Sequence, residues 1–344
     1  MNAETRVALN RYLDQQAALN NADADSVRRE KAFTIVPSVQ QKLIDKQQED
    51  SSFLAAINIM PVEDLSGEKL GLSVTSPLAS RTDTTAGERQ TTDPSGLDAD
   101  GYVLKQTNSD THITYAKLDQ WAKFPDFQAR ISNQVANRQA LDRIMIGFNG
   151  TSAAVATDRV ANPLLQDVNI GWLQQIRAYQ SGLRHFHEGA AEAGKIIIDP
   201  AGNGDYRNIH SLVKDTLHNF LPSWARNDPA LVAVLADDLE HDTFFPLVDQ
   251  NLQPTETLAT DLILSARRVG GKRAVGVPYF PDGSILITRL DNLSIYEQAG
   301  KRRRTVRDNA ARSRIETFES SNDGYVIEDR DFSCLIENIQ FGPT

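Results

Sequence analysis

The pattern of apolar and polar positions changes character several times along the chain, and the changes divide it. Within Glu4–Asn21, Leu9, Leu13 and Ala17 recur at four-residue steps, which predicts a helix with a narrow apolar stripe. A charged break, "ADADSVRREKA", follows; Pro37 and Ser38 then suit the opening of a second short helix carrying Val39 and Leu43. Neither stripe offers enough apolar area to stand alone, so residues 1–52 read as an arm that needs a surface to lie on. The apolar pieces "FLAAINIMPV" and "EKLGLSV" lead into a long run of Thr, Ser, Asp, Gly and Pro, after which "YVLKQTNSDTHITY" alternates like a strand. A polar loop of this length between strand-like segments is uncommon in a compact domain. It predicts a long two-stranded β-arm projecting from the body within 53–115.

Residues 116–164 are predicted to hold the longest helix. Pro125 and Asp126 suit its first turn, and "GFNG" (Gly147–Gly150) its end. Phe127, Ile131, Val135, Leu141, Met145 and Phe148 mark one face, with Arg130, Arg138 and Arg143 mostly elsewhere. From residue 151 the chain reads as mixed α/β. Helices are predicted over Ile170–Gln180, over the face Ile209, Leu212, Val213, Leu217 and Phe220, and from Asp237. Strands are predicted at "KIIIDP", "LVAVL", "AVGVPYF", "SILITRL", "LSIY", "GYVIED" and "SCLIENI", and a tight turn at "GNGDY". The fold class is α+β.

Length and composition narrow the picture. A chain of 344 residues suggests two lobes with appendages. Its one cysteine, Cys334, excludes an intrachain disulfide and fits a reducing compartment; its apolar strand setting predicts an inert buried thiol. The polar start lacks the apolar core of a signal peptide, and the apolar runs are too short to span a bilayer, so a soluble cytoplasmic product is expected. The formal net charge of −10 argues against general DNA coating. Between Pro61 and Tyr115 nine acidic residues face four basic ones, so the β-arm is acidic.

Against that balance stands "GKRRRTVRDN" (Gly300–Asn309), with five cations between Lys301 and Arg307. Gly300 suits a turn. Alternation puts Arg302, Arg304 and Val306 on one face of a strand, and Lys301, Arg303, Thr305 and Arg307 on the other. Cations on both faces suit an edge strand guarded against wrong pairing.

Catalytic signals are thin. "DDLEH" (Asp237–His241) has carboxylates and a histidine, but Asp237 followed by Glu240 reads better as a helix capping box. His185 and His187 share a face in "HFH" with no third ligand adjacent, which favours a solvated loop. "GNGDY" lacks the spacing of a phosphate cradle, and there is no Gly-x-Ser-x-Gly. No catalytic residue, metal site or cofactor is predicted. A cytosolic α/β enzyme using these residues and a DNA-binding module using Lys301–Arg307 stand as alternatives.

The blocks "ETRVALNRYL", "FTIVPSVQQKL", "INIMPV", "GEKLGL", "ASRTDTTAGERQ", "LDQWAKFPDFQARI", "RQALDRIMIGFNG", "NPLLQDVNIGWLQ", "AVGVPYFPDGSILITRLDNLSIY" and "FESSNDGYVIED" carry a family resemblance. In this order, nearly end to end, the chain resembles the major capsid proteins of the Peduovirus group of temperate, contractile-tailed phages. The resemblance implies the Hong Kong 97-like capsid fold. Its parts are an N-terminal arm (1–52), an extended β-loop or E-loop with its base (53–115), a peripheral domain with a long spine helix (116–164), an axial domain (165–290), and a return to the peripheral domain (291–344). It implies a non-enzymatic head shell protein of a tailed double-stranded DNA phage. Such subunits form pentamers and hexamers of an icosahedral procapsid that expands on DNA packaging.

The implied partners are further copies of the chain, an internal scaffolding or protease protein, a portal protein at one vertex, and packaged DNA bound without sequence specificity. No membrane is involved. The implied location is the virion, assembled in the cytoplasm of the bacterial host. Since the E-loop of such proteins reaches over a neighbour, the candidate subunit contacts are Lys301, Arg302, Arg303, Arg304 and Arg307, with Arg81, Asp83, Glu88 and Arg89 in the loop. Relatives can lose part of the arm to a phage protease; the candidate processing region here is near Phe33 and Thr34.

Overall fold

The computed structural model describes residues 3–68, 71–74, 79, 81–85, 87–89, 91, 95–98, 101–121, 127–248 and 267–342. The arm contains helices α1 (Ala3–Leu19), α2 (Ala24–Arg28), α3 (Pro37–Asp50) and α4 (Ser52–Ala56), with the two-residue strand β1 (Phe33–Thr34) between α2 and α3. The pattern of apolar residues did not announce α2, which falls in the charged break. Asp23 caps it, accepting from the Ser26 amide at 2.9 Å, and Val27 is the one residue it buries. Leu13, Ala17, Val27 and Phe33 form a small core with Val306 and Ile315, the surface the arm was expected to need.

The β-arm leaves the body after β2 (Asn58–Val62). Strand β3 (Ser66–Glu68) pairs only with β6 (Gly101–Val103), and β4 (Gly71–Val74) only with β5 (Ser95–Asp98), among the described residues. The chain re-enters through β7 (Lys105–Asn108) and β8 (Thr111–Thr114), and then α5 (Tyr115–Trp121). Pro125 and Asp126 lie outside the described residues. The long helix α6 spans Phe127–Asn149, a rod of roughly 35 Å at 1.5 Å per residue. Its buried face runs through Ala136, Ala140, Ile144 and Phe148. It also includes Gln139 and Arg143, which corrects the placement of Arg143 away from the core side.

Past α6 the chain forms α7 (Trp172–Ala178), β9 (His185–Phe186), β10 (Ile196–Ile198), α8 (Ile209–Phe220), β11 (Leu231–Leu235) and α9 (Asp237–Val248). It continues through β12 (Arg268–Val269), β13 (Lys272–Gly276), β14 (Ile285–Arg289), β15 (Leu293–Gln298), β16 (Arg303–Asn309), β17 (Arg314–Ile327), β18 (Cys334–Ile336) and β19 (Ile339–Phe341). Two large sheets result. One is six-stranded, β12-β13-β11-β14-β18-β9, with β11 buried at every position and α8 laying Leu212, Val213 and Leu217 in the main core. The other is seven-stranded, β1-β16-β17-β15-β2, with β7 and β8 also paired to the long β17. Tight packing joins the two halves: a Cβ on Gly147 would strike the Trp172 ring, so glycine lets α7 approach α6. Trp172 stacks edge-on with Phe148 at 5.2 Å and Tyr325 at 5.3 Å, and its indole donates to Ser294 O at 3.1 Å.

Several local expectations change. The strand expected in "AVGVPYF" stops at Gly276, because Pro278 has no amide for a ladder and Tyr279 turns with φ +61°. Asp237 is the first residue of α9; Glu240 pairs with Arg267, while Asp238 Oδ2 accepts from the Gly283 amide at 2.9 Å. Charge pairing, not a capping box, therefore engages this acidic turn. His185 is in strand β9, with Nε2 2.7 Å from Glu337 Oε2, and stacks on His187 at 4.5 Å, so it is no solvated loop residue. Gly202 turns at φ +92°, and Asp205 accepts from the amides of Ala190, Ala191 and Ile197, so "GNGDY" is a structural turn. Cys334 is buried, and desolvation pushes its thiol up. Among the described residues, no helix is long and apolar enough to cross a membrane.

Candidate intersubunit interface and the ionic junction beneath it

The cation cluster divides by strand parity. Gly300 turns with φ +64°, and β16 then pairs with β17 from Arg303–Ser320 to Asn309–Arg314. On the inner face Arg302 is only 3% exposed. Its guanidinium donates to Glu319 Oε1 at 2.6 Å, Glu297 Oε1 at 3.1 Å and Gln139 Oε1 at 3.1 Å. Arg304 donates to Glu319 Oε2 at 2.8 Å and to Gln16 Oε1 at 3.1 Å. Arg143, from α6, pairs with Glu297 and donates to Gln47 Oε1 at 2.9 Å, with Asp323 Oδ1 at 3.5 Å. Gln40 donates to Glu297 Oε1 at 2.7 Å.

Arg302 and Arg304, placed among the candidate subunit contacts, thus engage carboxylates of their own chain. The edge-strand expectation is corrected at Arg303 and Arg304, which the two-residue β1 covers through Thr34 and Phe33; from Thr305 to Asn309 β16 has no second ladder partner among the described residues. Cations are tolerable on the buried face because Glu297 and Glu319 arrive from β15 and β17, so that each arginine is paired and Arg302 bridges the two carboxylates.

The electrostatics of this junction follow from burial and partners. Burial alone would raise the Glu297 carboxyl; Arg143 and Arg302 outweigh it and hold the group below the usual carboxylate range. Glu319 is likewise pushed up by burial and drawn lower overall by Arg302 and Arg304. Asp323 is raised, because desolvation exceeds the help from Arg143. Glu297, Glu319, Asp323 and Gln139 were missed from sequence. A usable signal was present: Glu297 ends "LSIYE" and Glu319 sits in "FESS", both in strands beside an arginine run.

The outer face differs. Lys301, Arg303 and Arg307 are exposed, with Arg307 Nε 3.7 Å from Glu30 Oε2. In the β-arm, Arg81, Asp83, Glu88 and Arg89 are all exposed, and Asp83 accepts from the Thr85 amide and hydroxyl at 2.9 and 2.6 Å. Those hydrogen bonds lower its carboxyl. The structure does not bring the β-arm set together with Lys301–Arg307 in one chain through any described ion pair. Phe33, in the candidate processing region, is buried against the arm core, whereas Thr34 is exposed.

An open groove of about 1150 Å3 is walled by β7–β8, by α6 from Arg130 to Ile146 and by the segment after it. Ile113, Ile131, Val135 and Leu165 line it, with Lys117, Arg130, Arg138 and Arg159 among its charges and Asp110 and Asp142 opposing them. It offers length and apolar area instead of convergent catalytic groups. Among the described residues no group of three or more His, Cys, Asp or Glu is placed to hold a metal ion.

The comparisons agree with this geometry. Residues 8–339 match the model of the P2 family of phage major capsid proteins. The chain is 44% identical over 346 residues to the capsid proteins of Escherichia phage P2, covering 99% of this chain and 96% of that one. It is 38% identical over 342 residues to the major capsid protein of Serratia phage KSP20, covering 98% and 97%. Among solved structures, a chain of the satellite phage P4 procapsid that includes the size determination protein superposes with TM-score 0.81 at 40% identity, covering 99% of each chain. The capsid of an empty GTA particle, at 16% identity and TM-score 0.54 over 85% of this chain and 90% of that one, shares the fold. The architecture is thus the α+β Hong Kong 97-like capsid fold, and the relatives are structural shell proteins, not enzymes. Its sequence and its fold agree that the chain belongs to the P2 family of phage major capsid proteins.

Proposed function

We propose that this major capsid protein closes pentamers and hexamers into an icosahedral procapsid around an internal scaffolding or protease protein. A portal occupies one vertex, and the shell expands as double-stranded DNA is packaged without sequence-specific contacts. Assembly takes place in the cytoplasm of the bacterial host. In this scheme 1–52 is the arm, 53–115 the E-loop and its base, 116–164 and 291–344 the peripheral domain, and 165–290 the axial domain. The observation that carries it is the β-arm. Among the described residues neither ladder is hydrogen-bonded to a large sheet, with Tyr102 at the base packed edge-on on Tyr296 at 5.1 Å, and an unsupported two-stranded ribbon is marginal in water. Such a ribbon gains stability by lying on another subunit.

The exposed cations Lys301 and Arg303, together with Arg307, which also stands beside Glu30 of its own chain, are the part of the cluster that faces outward to meet a neighbour's acidic loop around Asp83 and Glu88, with Arg81 and Arg89 beside them. Processing near Phe33 and Thr34 requires β1 to separate from β16, or to be cut before it docks, since a protease takes an extended strand with a free edge. Co-expression with the scaffold, followed by negative-stain microscopy, tests the scheme. Closed particles tens of nanometres across are expected; soluble monomers or amorphous aggregates alone would refute it.

A further inference from the structure

The segment between α6 and α7 contains no regular secondary structure and is nonetheless tied down at almost every turn. Asp158 Oδ1 accepts from the amides of Val160 and Ala161 at 2.8 and 3.3 Å, and Asp167 Oδ2 from the Asp158 amide at 2.7 Å. Gln166 O accepts from Thr151 and Ser152, and Asp167 O from Ala154, while Val168 and Leu165 pack on the main core. On this ordered mount stand two valines whose relative exposures are 109% (Val155) and 93% (Val160). Leu19, Leu183 and Trp224 are also exposed, but none of them exceeds 59%. A single exposed aliphatic residue needs no explanation; two on one self-hydrogen-bonded loop that walls an open groove do.

Internal hydrogen bonds remove most of the loop's freedom before any partner arrives, which favours binding. The geometry points to residues 151–168 as a preformed docking tab for a second copy of this chain, with Val155 and Val160 as its apolar anchors. This rests on the shell assembly proposed above. The choice of a second copy follows from family membership and from charge. Arg159 stands between the anchors, and the groove sets Lys117, Arg130, Arg138 and Arg159 against Asp110 and Asp142, with Arg138 and Asp142 paired at 2.7 Å, a net positive lining. By contrast, residues 61–109 of every copy's β-arm carry eight acidic residues against four basic ones. The exposed Leu65 and Val103 of that β-arm give it apolar area to match.

The test uses the full-length chain co-expressed with its scaffold. The double variant Val155→Asp/Val160→Asp places charge where a contact would be dry, while touching nothing in its own subunit. Its thermal unfolding should match the wild type, and its particle yield should fall by about tenfold or more. In a second measurement, Val155→Cys and Val160→Cys are labelled with a maleimide before and after assembly, against a native Cys334 that is buried and silent. Labelling should slow by about tenfold in particles, the signature of a side chain covered by a neighbour. Wild-type yield from the double Asp variant, or cysteines labelled in particles at the free-subunit rate, overturns the inference alone. Failure of the wild type itself to form particles would remove the shell assembly on which it rests, and the inference with it.

Discussion

In the six-stranded sheet, Leu231–Leu235 and Ile285–Ile287 are aliphatic, buried and adjacent in register, with Cys334, Leu335 and Ile336 on the far side of β14. In the seven-stranded sheet, the equivalent depth holds Glu297, Arg302, Glu319 and Asp323; Glu297 is bound by Gln40 and by Arg143 of α6, Arg143 in turn donates to Gln47, and Arg304 beside them donates to Gln16. The first interior is held by area and volume, which tolerate small errors. The second is held by partner identity, since a buried charge without its partner is far less stable than one never buried. The ionic interior also has reach. It ties α1, α3 and α6 to three strands, segments up to 288 positions apart, as in the Arg304–Gln16 bond.

Breaking one member of the ionic set should give one of the largest effects. Arg302→Leu removes one of the two cations from each of Glu297 and Glu319, leaving them to Arg143 and Arg304, and is expected to cost about 3 kcal/mol in denaturant unfolding. A loss under about 1 kcal/mol would mean that the junction is solvated and the contrast false. Leu335→Ala, in the apolar sheet, should cost about 2–5 kcal/mol through its cavity. There, Ile287→Val should cost only about 0.5–1.5 kcal/mol, the graded response that the ionic set lacks.

Acid should separate the sheets next. Glu297 and Glu319 titrate lower in the folded chain than in the unfolded one, so their stabilisation is complete above the unfolded carboxylate value of about 4.3 and is lost as pH falls through the depressed folded values. Asp323, which is raised, acts with the opposite sign, its burden fading as it protonates on the way down. Amide protection in β15–β17, measured against the intrinsic exchange rate at each pH, is therefore expected to fall on acidification ahead of that in β11 and Ile285–Ile287, which carry no acid. Simultaneous opening would show that the junction does not depend on its carboxylates. The smallest change in subunit stability belongs to Lys301→Glu/Arg303→Glu, within about 0.5 kcal/mol, because both side chains are exposed. If these cations meet a neighbour, particle yield falls while the melting curve stays put.

Wherever the residues of an element answer to each other, the pattern was legible. Helix α8 and strand β11 sit where their periodicities put them, and the helices α1 and α3 were visible although α1 rests on a core near residues 306 and 315 and α3 is tied to Glu297 and Gln139. Arg143 and His185 were misjudged because each depends on a distant partner. Arg143 was assigned away from the core because an arginine in a helix is ordinarily solvated; it is buried because Glu297 and Asp323 come to it. His185 was read as a loop residue because Glu337 is 152 positions away, and α2 was overlooked because it buries one side chain and is held by the Asp23 cap and the Asp25–Arg28 pair instead of an apolar stripe.

Local pattern was sufficient for the α+β class, the projecting acidic β-arm, the long helix, the lack of a recognisable catalytic motif and the parity of the Gly300–Asn309 strand, since each depends on spacing or composition within one segment. Only the folded chain decided what the cations do. Parity told which arginines share a face, but the face became an interior through the register of β16 on β17 and β15, which delivers Glu319 and Glu297 to Arg302 at 2.6 and 3.1 Å. The same register turns Lys301 and Arg303 outward, leaving one cluster to serve both as an internal lock and as an outward-facing charge. A charge is stabilised by what stands within a few ångströms of it, and that neighbourhood exists only once strands distant in sequence are paired.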